Sequence, residues 1–240
     1  MTLLLLAGSG DARRVAQGLV GCEIIASLAG ATRTPDPLPV PTRIGGFGGE
    51  TGFRQFVAEA GITAVLDVTH PYAVRITART AAVCRDLGLP FLQLLRPVWV
   101  PEPGDRWTEI AREEDAAALI DPDATVFLGT GRQTLEHFVN LQGRRVICRQ
   151  IDPPDGPFPF AGGEFLVGRP PFSVEDEVAL FDRLGVDWLI VKNAGGAASR
   201  SKLTAARILE IPVLMLARPP CGDWPQVATV NAALDWVRAL

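Results

Sequence analysis

The chain has 240 residues, 48% of them hydrophobic and 21% charged, a composition that predicts a soluble globular protein with a real core. A formal net charge of −4 argues against a general nucleic-acid or anionic-membrane surface, and no apolar run is long enough to span a bilayer. Four dispersed cysteines (Cys22, Cys84, Cys148, Cys221) and only two histidines, His70 and His137, offer no zinc spacing, so a reducing cytoplasm and no metal are expected.

Short aliphatic runs alternate with amphipathic segments. Thr2–Ala7 reads as a strand, 11–19 as a helix and 23–28 as a second strand. Thr51 reads as an N-cap with Phe53, Phe56 and Val57 on one helical face and Gly61 as the stop. A strand over 63–67, a helix over 73–87 ended by Gly88, and a strand over 91–94 follow. The proline-rich stretch 97–104 breaks the rhythm and sets a domain boundary. Beyond it, strands are expected at 124–128, 145–148, 188–191 and 213–216. Helices are expected at 133–140, from Ser173 to Gly185, and at 199–209. Residues 152–163, DPPDGPFPFAGG, form a long loop of the kind that covers ligands. Trp107–Ile110 and 226–229 look like strands, but nothing assigns either one to a sheet. The fold class expected is α/β, with two Rossmann-like parallel-sheet domains, 1–104 and 105–240, facing a central cleft.

Five stretches carry chemistry. In AGSGDAR (7–13), Gly8, Ser9 and Gly10 form a strand-to-helix turn whose amides suit an anion, although Arg13 stands where G-x-G-x-x-G has its third glycine. At the end of the second strand Ser27 replaces the usual carboxylate, with Thr32 and Arg33 nearby; this favours a 2′-phosphate and hence NADPH. Gly45 and Gly46 of IGGFGG are small enough to admit the cofactor. DVTHPYA (67–73) ends a strand with His70 and Tyr72, the candidate proton-handling residues. Finally, VKNAGGAASRSK (191–202) holds the chain's only two lysines, Lys192 and Lys202, with Asn193, Gly195, Gly196 and Arg200 between them. Cations at a helix N-terminus oppose the helix dipole unless an anion is bound there. Arg132 of GTGR, Arg149 and Arg169 extend this set into a pocket for a small polyanion. The alternative reading of the arginines is surface ion pairs.

Taken together, GSGDARRVA (8–16), SLAGAT (27–32), GGFGG (45–49), DVTHPYA (67–73), RPVWVPEPGDRW (96–107), GTGR (129–132), RPPFS (169–173), KNAGG (192–196), KLTAAR (202–207) and IPVLMLARP (211–219) resemble the precorrin-6A reductase family of cobalamin biosynthesis. The likeness runs in order over nearly the whole chain. Departures are Asp11 for the more usual Glu, Val68 and Tyr72 for Ala and Phe, and Ala194 for Ser. The resemblance implies NADPH-dependent hydride transfer to a macrocycle double bond of precorrin-6A, giving precorrin-6B. It implies a polycarboxylate tetrapyrrole substrate, no nucleic acid or membrane partner, and the next enzyme of the pathway as a candidate partner. The first domain would then hold cofactor and the second substrate; the reverse assignment is the alternative. Rival functions are the cobalt-precorrin-6A reduction of the anaerobic route and a non-catalytic two-lobed nucleotide- or acid-binding module.

Overall fold

The computed structural model describes residues 1–30 and 32–240; Ala31, inside the SLAGAT segment, lies outside the described residues. The chain divides into two compact units, Met1–Pro97 with Pro219–Leu240, and Val98–Arg218. The expected second domain, 105–240, is thus corrected at both ends. It begins near residue 98, and its last stretch belongs to the other unit.

The first unit contains β1 (Thr2–Ala7), β2 (Ile24–Leu28), β3 (Thr42–Ile44), β4 (Ile62–Val68) and β5 (Phe91–Leu94); a final strand, β12 (Gln226–Val227), joins them from the far end of the chain. All pair in parallel, in the order β3-β2-β1-β4-β5-β12. From Leu3 to Ala7 the run TLLLLA is apolar because both of its faces are covered. Leu3, Leu5 and Ala7 pack toward α1 (Gly10–Gly18) and α6 (Val230–Arg238), while Leu4 and Leu6 pack toward α2 (Gly49–Glu59) and α3 (Val74–Leu87). Leu3 to Leu6 are at most 1% exposed, and each such leucine contributes about 2 kcal/mol of burial. Gly18, the last residue of α1, leaves room for α6: a Cβ there would lie 2.7 Å from Leu234 Cδ1. Helix α3 ends on Gly88, which takes the left-handed conformation (φ 65°).

The second unit contains β6 (Trp107–Ile110), β7 (Thr125–Leu128), β8 (Arg145–Gln150), β9 (Gly163–Val167), β10 (Trp188–Lys192) and β11 (Val213–Leu216), again all parallel, in the order β6-β11-β10-β7-β8-β9. Helices α4 (Val174–Leu184) and α5 (Ser201–Ile208) cover one face around Phe127, Ile147, Phe181 and Leu203. Ser173 caps α4 through a reciprocal pair with Asp176, whose N–H it receives at 3.0 Å. The helix expected over 133–140 is a 3-10 segment, Arg132–Leu141, that departs from helical geometry at Thr134.

The two unassigned strands resolve in opposite directions: β6 edges the second unit's sheet beside β11, and β12 edges the first unit's sheet beside β5. Two strands were not expected, β3 and β9. Both are short edge strands, and β3 has only three residues, too few for any periodicity to register. No described helix is long and apolar enough to cross a membrane.

Candidate active site

In each sheet the strand order reverses once, between β1 and β4 in the first unit and between β7 and β10 in the second. Open α/β sheets bind ligands outside the carboxyl ends of strands at such a reversal.

At the first reversal, AGSGDAR leaves β1 beside the DVTHPYA turn that leaves β4. Ser9 stands at the N-cap of α1, but its hydroxyl donates to the Val68 carbonyl at 2.8 Å instead of capping the helix. A Cβ on Gly8 would lie 3.6 Å from Thr69 Cα and 3.7 Å from the His70 amide nitrogen, so the two turns are in contact. A cleft of about 140 Å³ opens beside them, lined by Ala7, Gly8, Leu28, Gly30 and Thr32. A second cleft of about 330 Å³ shares Leu28 and includes Arg33. Arg13 braces the rim of this region, donating to the carbonyls of Pro37 (2.8 Å) and Asp36 (3.2 Å). Of the cofactor-binding residues expected from sequence, Gly8 and Thr32 line the first cleft and Arg33 the second, while Arg13 is occupied with its own loop.

Ser27 is buried, and its hydroxyl accepts a hydrogen bond from Arg43 at 2.7 Å. Arg43 also donates to the Gly45 (2.9 Å) and Gly46 (3.0 Å) carbonyls and lies 4.1 Å from the centre of the Phe47 ring. Burial lowers the pKa of this guanidinium. Ser27, Gly45 and Gly46 thus shape the setting of an arginine that sequence reasoning missed. The only signal was a lone Arg just before IGGFGG.

His70 accepts the Tyr72 amide through Nδ1 at 3.3 Å, and the two rings are 5.6 Å apart. Between them and the sheet centre lies Asp67, also missed, fully buried on β4. Burial drives its pKa up, against the lowering effect of the Thr77 and Thr69 side chains and the Thr69 amide.

At the second reversal the GTGR loop after β7 meets the glycine-rich turn after β10. Lys192 Nζ donates to the Thr130 carbonyl at 3.4 Å, and its pKa is lowered by burial, with Glu113 opposing. Lys202 Nζ donates to the Ser199 carbonyl at 2.8 Å. Burial and the nearby Arg149 charge bring the Lys202 ammonium down to about 8, while Glu177 opposes them. Gly129 leaves room for this lysine: a Cβ there would sit 3.4 Å from Lys202 Cδ and 3.0 Å from Val191 Cγ1.

The expected basic set does not converge uniformly. Arg149 forms a bidentate, buried pair with Glu177 (2.7 and 2.8 Å), the two side chains 8% and 1% exposed, and its guanidinium lies 4.2 Å from the Phe172 ring centre. Arg132 pairs with Asp155 at 3.2 Å, and Arg200 with Glu102. Arg132 and Arg200 thus follow the surface ion-pair reading, whereas the Arg149 pair is buried. Arg169 follows β9 in the segment before α4. Asn193 uses both ends of its amide on Trp99, and Trp99 Nε1 donates to the Gly196 carbonyl at 2.8 Å. Asn193 and Gly196 therefore anchor the first residues of this unit, and Gly195 and Gly196 supply positive φ (67° and 83°) to the turn. Arg218, beyond β11, donates to the Asn193 carbonyl at 3.2 Å and was not anticipated.

No group of three or more His, Cys, Asp or Glu side chains among the described residues is arranged to hold a metal ion.

Comparison with known proteins agrees with this layout. The family model described as precorrin-6x reductase CbiJ/CobK matches residues 2–238. A precorrin-6A reductase of Rhodococcus erythropolis is 42% identical, with 99% of this chain and 98% of the relative covered. One from Rhodobacter capsulatus is 37% identical, over 98% and 95%. A cobalt-precorrin-6A reductase of Priestia megaterium is 25% identical, over 90% of each chain. A solved structure titled CobK precorrin-6A reductase superimposes with a TM-score of 0.95 at 35% identity, covering all of this chain and 97% of that one. With two parallel-sheet units, a glycine turn at one reversal and the lysine turn at the other, the chain belongs to the precorrin-6x reductase family.

Proposed function

We propose that this chain is a cytoplasmic precorrin-6A reductase of cobalamin biosynthesis. It reduces one double bond of the macrocycle to give precorrin-6B, and NADPH, when bound, supplies the hydride. The observation that carries the substrate side is the charge at the second reversal. Lys202 lies beside the buried Arg149–Glu177 pair, and burial and the Arg149 charge both work against its ammonium. Two cations and one carboxylate make up this cluster, and burial makes an uncompensated charge costly. A substrate carboxylate entering beside Lys202 completes it through charge-assisted hydrogen bonds. Lys192 offers a second such contact. Arg132, Arg169 and Arg200 complete the candidate substrate set, with Arg132 and Arg200 exchanging their present acidic partners for substrate.

The first unit suits a dinucleotide. Amides of Gly8, Ser9 and Gly10 at the start of α1 would hold the diphosphate, and Thr32, Arg33 and the Arg43 guanidinium the 2′-phosphate. The residues fit because Ser27 orients a cation where an NAD site has a carboxylate. His70 and Tyr72 stand at the same crevice as candidate proton-handling groups. The four free thiols accord with a reducing compartment.

The test is loss of NADPH absorbance on adding precorrin-6A, with the cobalt-containing substrate run alongside. Turnover of the metal-free macrocycle is expected. Nucleotide binding without turnover of either substrate would reduce the protein to a binding module. The higher identity to the precorrin-6A reductases than to the cobalt-precorrin relative supports the metal-free substrate.

A further inference from the structure

Adding hydride to one carbon of a conjugated system obliges a proton to join a neighbouring atom. The proposed reaction therefore needs an acid near the crevice at the end of β4. His70 is one candidate. The buried interface behind it contains another.

Asp67 lies in the middle of the sheet, between Leu6 of β1 and Gln93 of β5. Its side chain is on the face covered by α3, where Thr77 and Thr80 are buried. Its Oδ1 accepts the Thr69 amide at 2.9 Å, while Oδ2 is buried without a hydrogen-bond partner. An ionised carboxylate has only acceptor sites, and one left with a bare oxygen in the core is strongly disfavoured. A neutral carboxyl avoids that charge and has a proton to donate. The Thr69 and Thr77 side chains both bear on the carboxyl, and their hydroxyls are 3.4 Å from one another. Thr77 also donates to the Ala73 carbonyl at 3.3 Å. Thr69 is the residue whose Cα lies against Gly8 in the glycine turn. The two hydroxyls thus link the buried carboxyl to the turn whose backbone meets Gly8.

The ionisable groups around Asp67 are few. On that face α3 carries Arg79, whose guanidinium lies 5.8 Å from the Phe53 ring centre, and the buried Cys84; the turn after β4 carries His70 and Tyr72, and Leu6 and Gln93 flank Asp67 in the sheet. None of the ion pairs among the described residues involves Asp67.

We propose that Asp67 is a positioning residue for the reduction, delivering through the hydroxyls of Thr69 and Thr77 the proton that the crevice requires. In each turnover the carboxyl O–H bond breaks as a hydroxyl takes that proton and releases its own toward the acceptor atom. NADPH, when bound, would supply the hydride that the neighbouring carbon takes. Asp67 is left as a carboxylate and regains its proton from solvent. This rests on the reductase reading above.

The test compares the whole protein with Asp67→Asn and Thr77→Val. Asn retains the acceptor for the Thr69 amide but has no acidic proton. In the ligand-free protein at pH 7, an infrared carbonyl band of a protonated carboxylic acid is expected, absent from Asp67→Asn and retained in Thr77→Val. NADPH affinity, read by fluorescence titration, is expected to stay unchanged in both. Turnover is expected to fall about 100-fold in each, the scale of a lost general acid, and the fall in rate at high pH is expected to vanish in Asp67→Asn. Absence of the infrared band, or variants with the parent rate and pH profile, would overturn the proposal. If Asp67→Asn does not fold, Thr77→Val decides. Failure of the unmodified protein to oxidise NADPH would instead overturn the reductase reading, which separates the two.

Discussion

Asn193 grips the peptide unit of Trp99 from both sides: its Oδ1 accepts the Trp99 N–H at 2.8 Å and its Nδ2 donates to the Trp99 carbonyl at 3.0 Å. Both residues are buried, so the amide does for the first residues of the second unit what a neighbouring strand would do. Asn193→Ala leaves a buried donor and acceptor unmet, and a loss of about 2–4 kcal/mol is expected. Urea unfolding checks it. Asn193→Asp is expected to cost more, since it keeps the acceptor but adds a buried charge facing the Trp99 carbonyl.

Lys202 makes stability depend on alkaline pH. Its pKa falls from 10.5 in the unfolded chain to about 8 in the folded protein. Below pH 8 the buried charge opposes folding in full. The unfolded chain binds the extra proton between 8 and 10.5, so stability rises across that window. Lys202→Met is therefore expected to be more stable than the parent at pH 7, with the gain fading as pH approaches 10.5. Its affinity for precorrin-6A is expected to drop roughly 10- to 100-fold, the worth of one charge-assisted bond.

The Arg149–Glu177 pair responds asymmetrically. Truncating one partner strands the other charge in the core and is expected to cost about 3–5 kcal/mol. Replacing both by apolar residues of similar volume is expected to cost much less. Thermal unfolding of Arg149→Met, Glu177→Gln and a double Arg149→Met, Glu177→Leu variant makes the comparison.

Asp67 has the opposite pH signature to Lys202. Its pKa is raised from 3.8 on folding, so the folded state binds the extra proton and stability declines as pH climbs above 3.8. Asp67→Asn removes that penalty. It is expected to be more stable than the parent at neutral pH, with the two converging in acid as both carboxyl states become protonated.

Gly129→Ala tests the packing under the lysine. The new methyl would meet Val191 Cγ1 at 3.0 Å, so Val191, at the end of the strand that leads into the Lys192 turn, must give by a few tenths of an ångström, while Lys202 Cδ at 3.4 Å comes into ordinary contact. Weaker precorrin binding with unchanged NADPH binding is expected from calorimetry.

The sequence made the two glycine turns and the strands that lead into them legible, because a four-leucine run and a β-strand followed by glycine leave few alternatives. Ser27 drew attention as the residue in place of an acid, but its partner Arg43 stayed hidden. Strand β3 is too short to show periodicity, and nothing local ties residue 43 to residue 27. The arginines were the least legible part. Arg149 finds Glu177 across 28 residues and Arg200 finds Glu102 across 98; such pairings arise from chain topology, which composition and spacing do not encode. Asp67 stands within DVTHPYA, but a carboxyl near a histidine reads as turn chemistry until its burial is known.

The return of β12 and α6 to the first sheet fixes an order of events on the ribosome. Strands β1 to β5 emerge first, yet the groove at Gly18 that receives Leu234 stays open until the last residues are made. All of Val98–Arg218 is synthesised in the interval. The inserted half can therefore close its core while the nascent outer half still lacks an edge strand and a helix. A C-terminal truncation accordingly damages the glycine-turn half and spares the lysine-bearing one, although the lysines lie nearer to the cut in sequence.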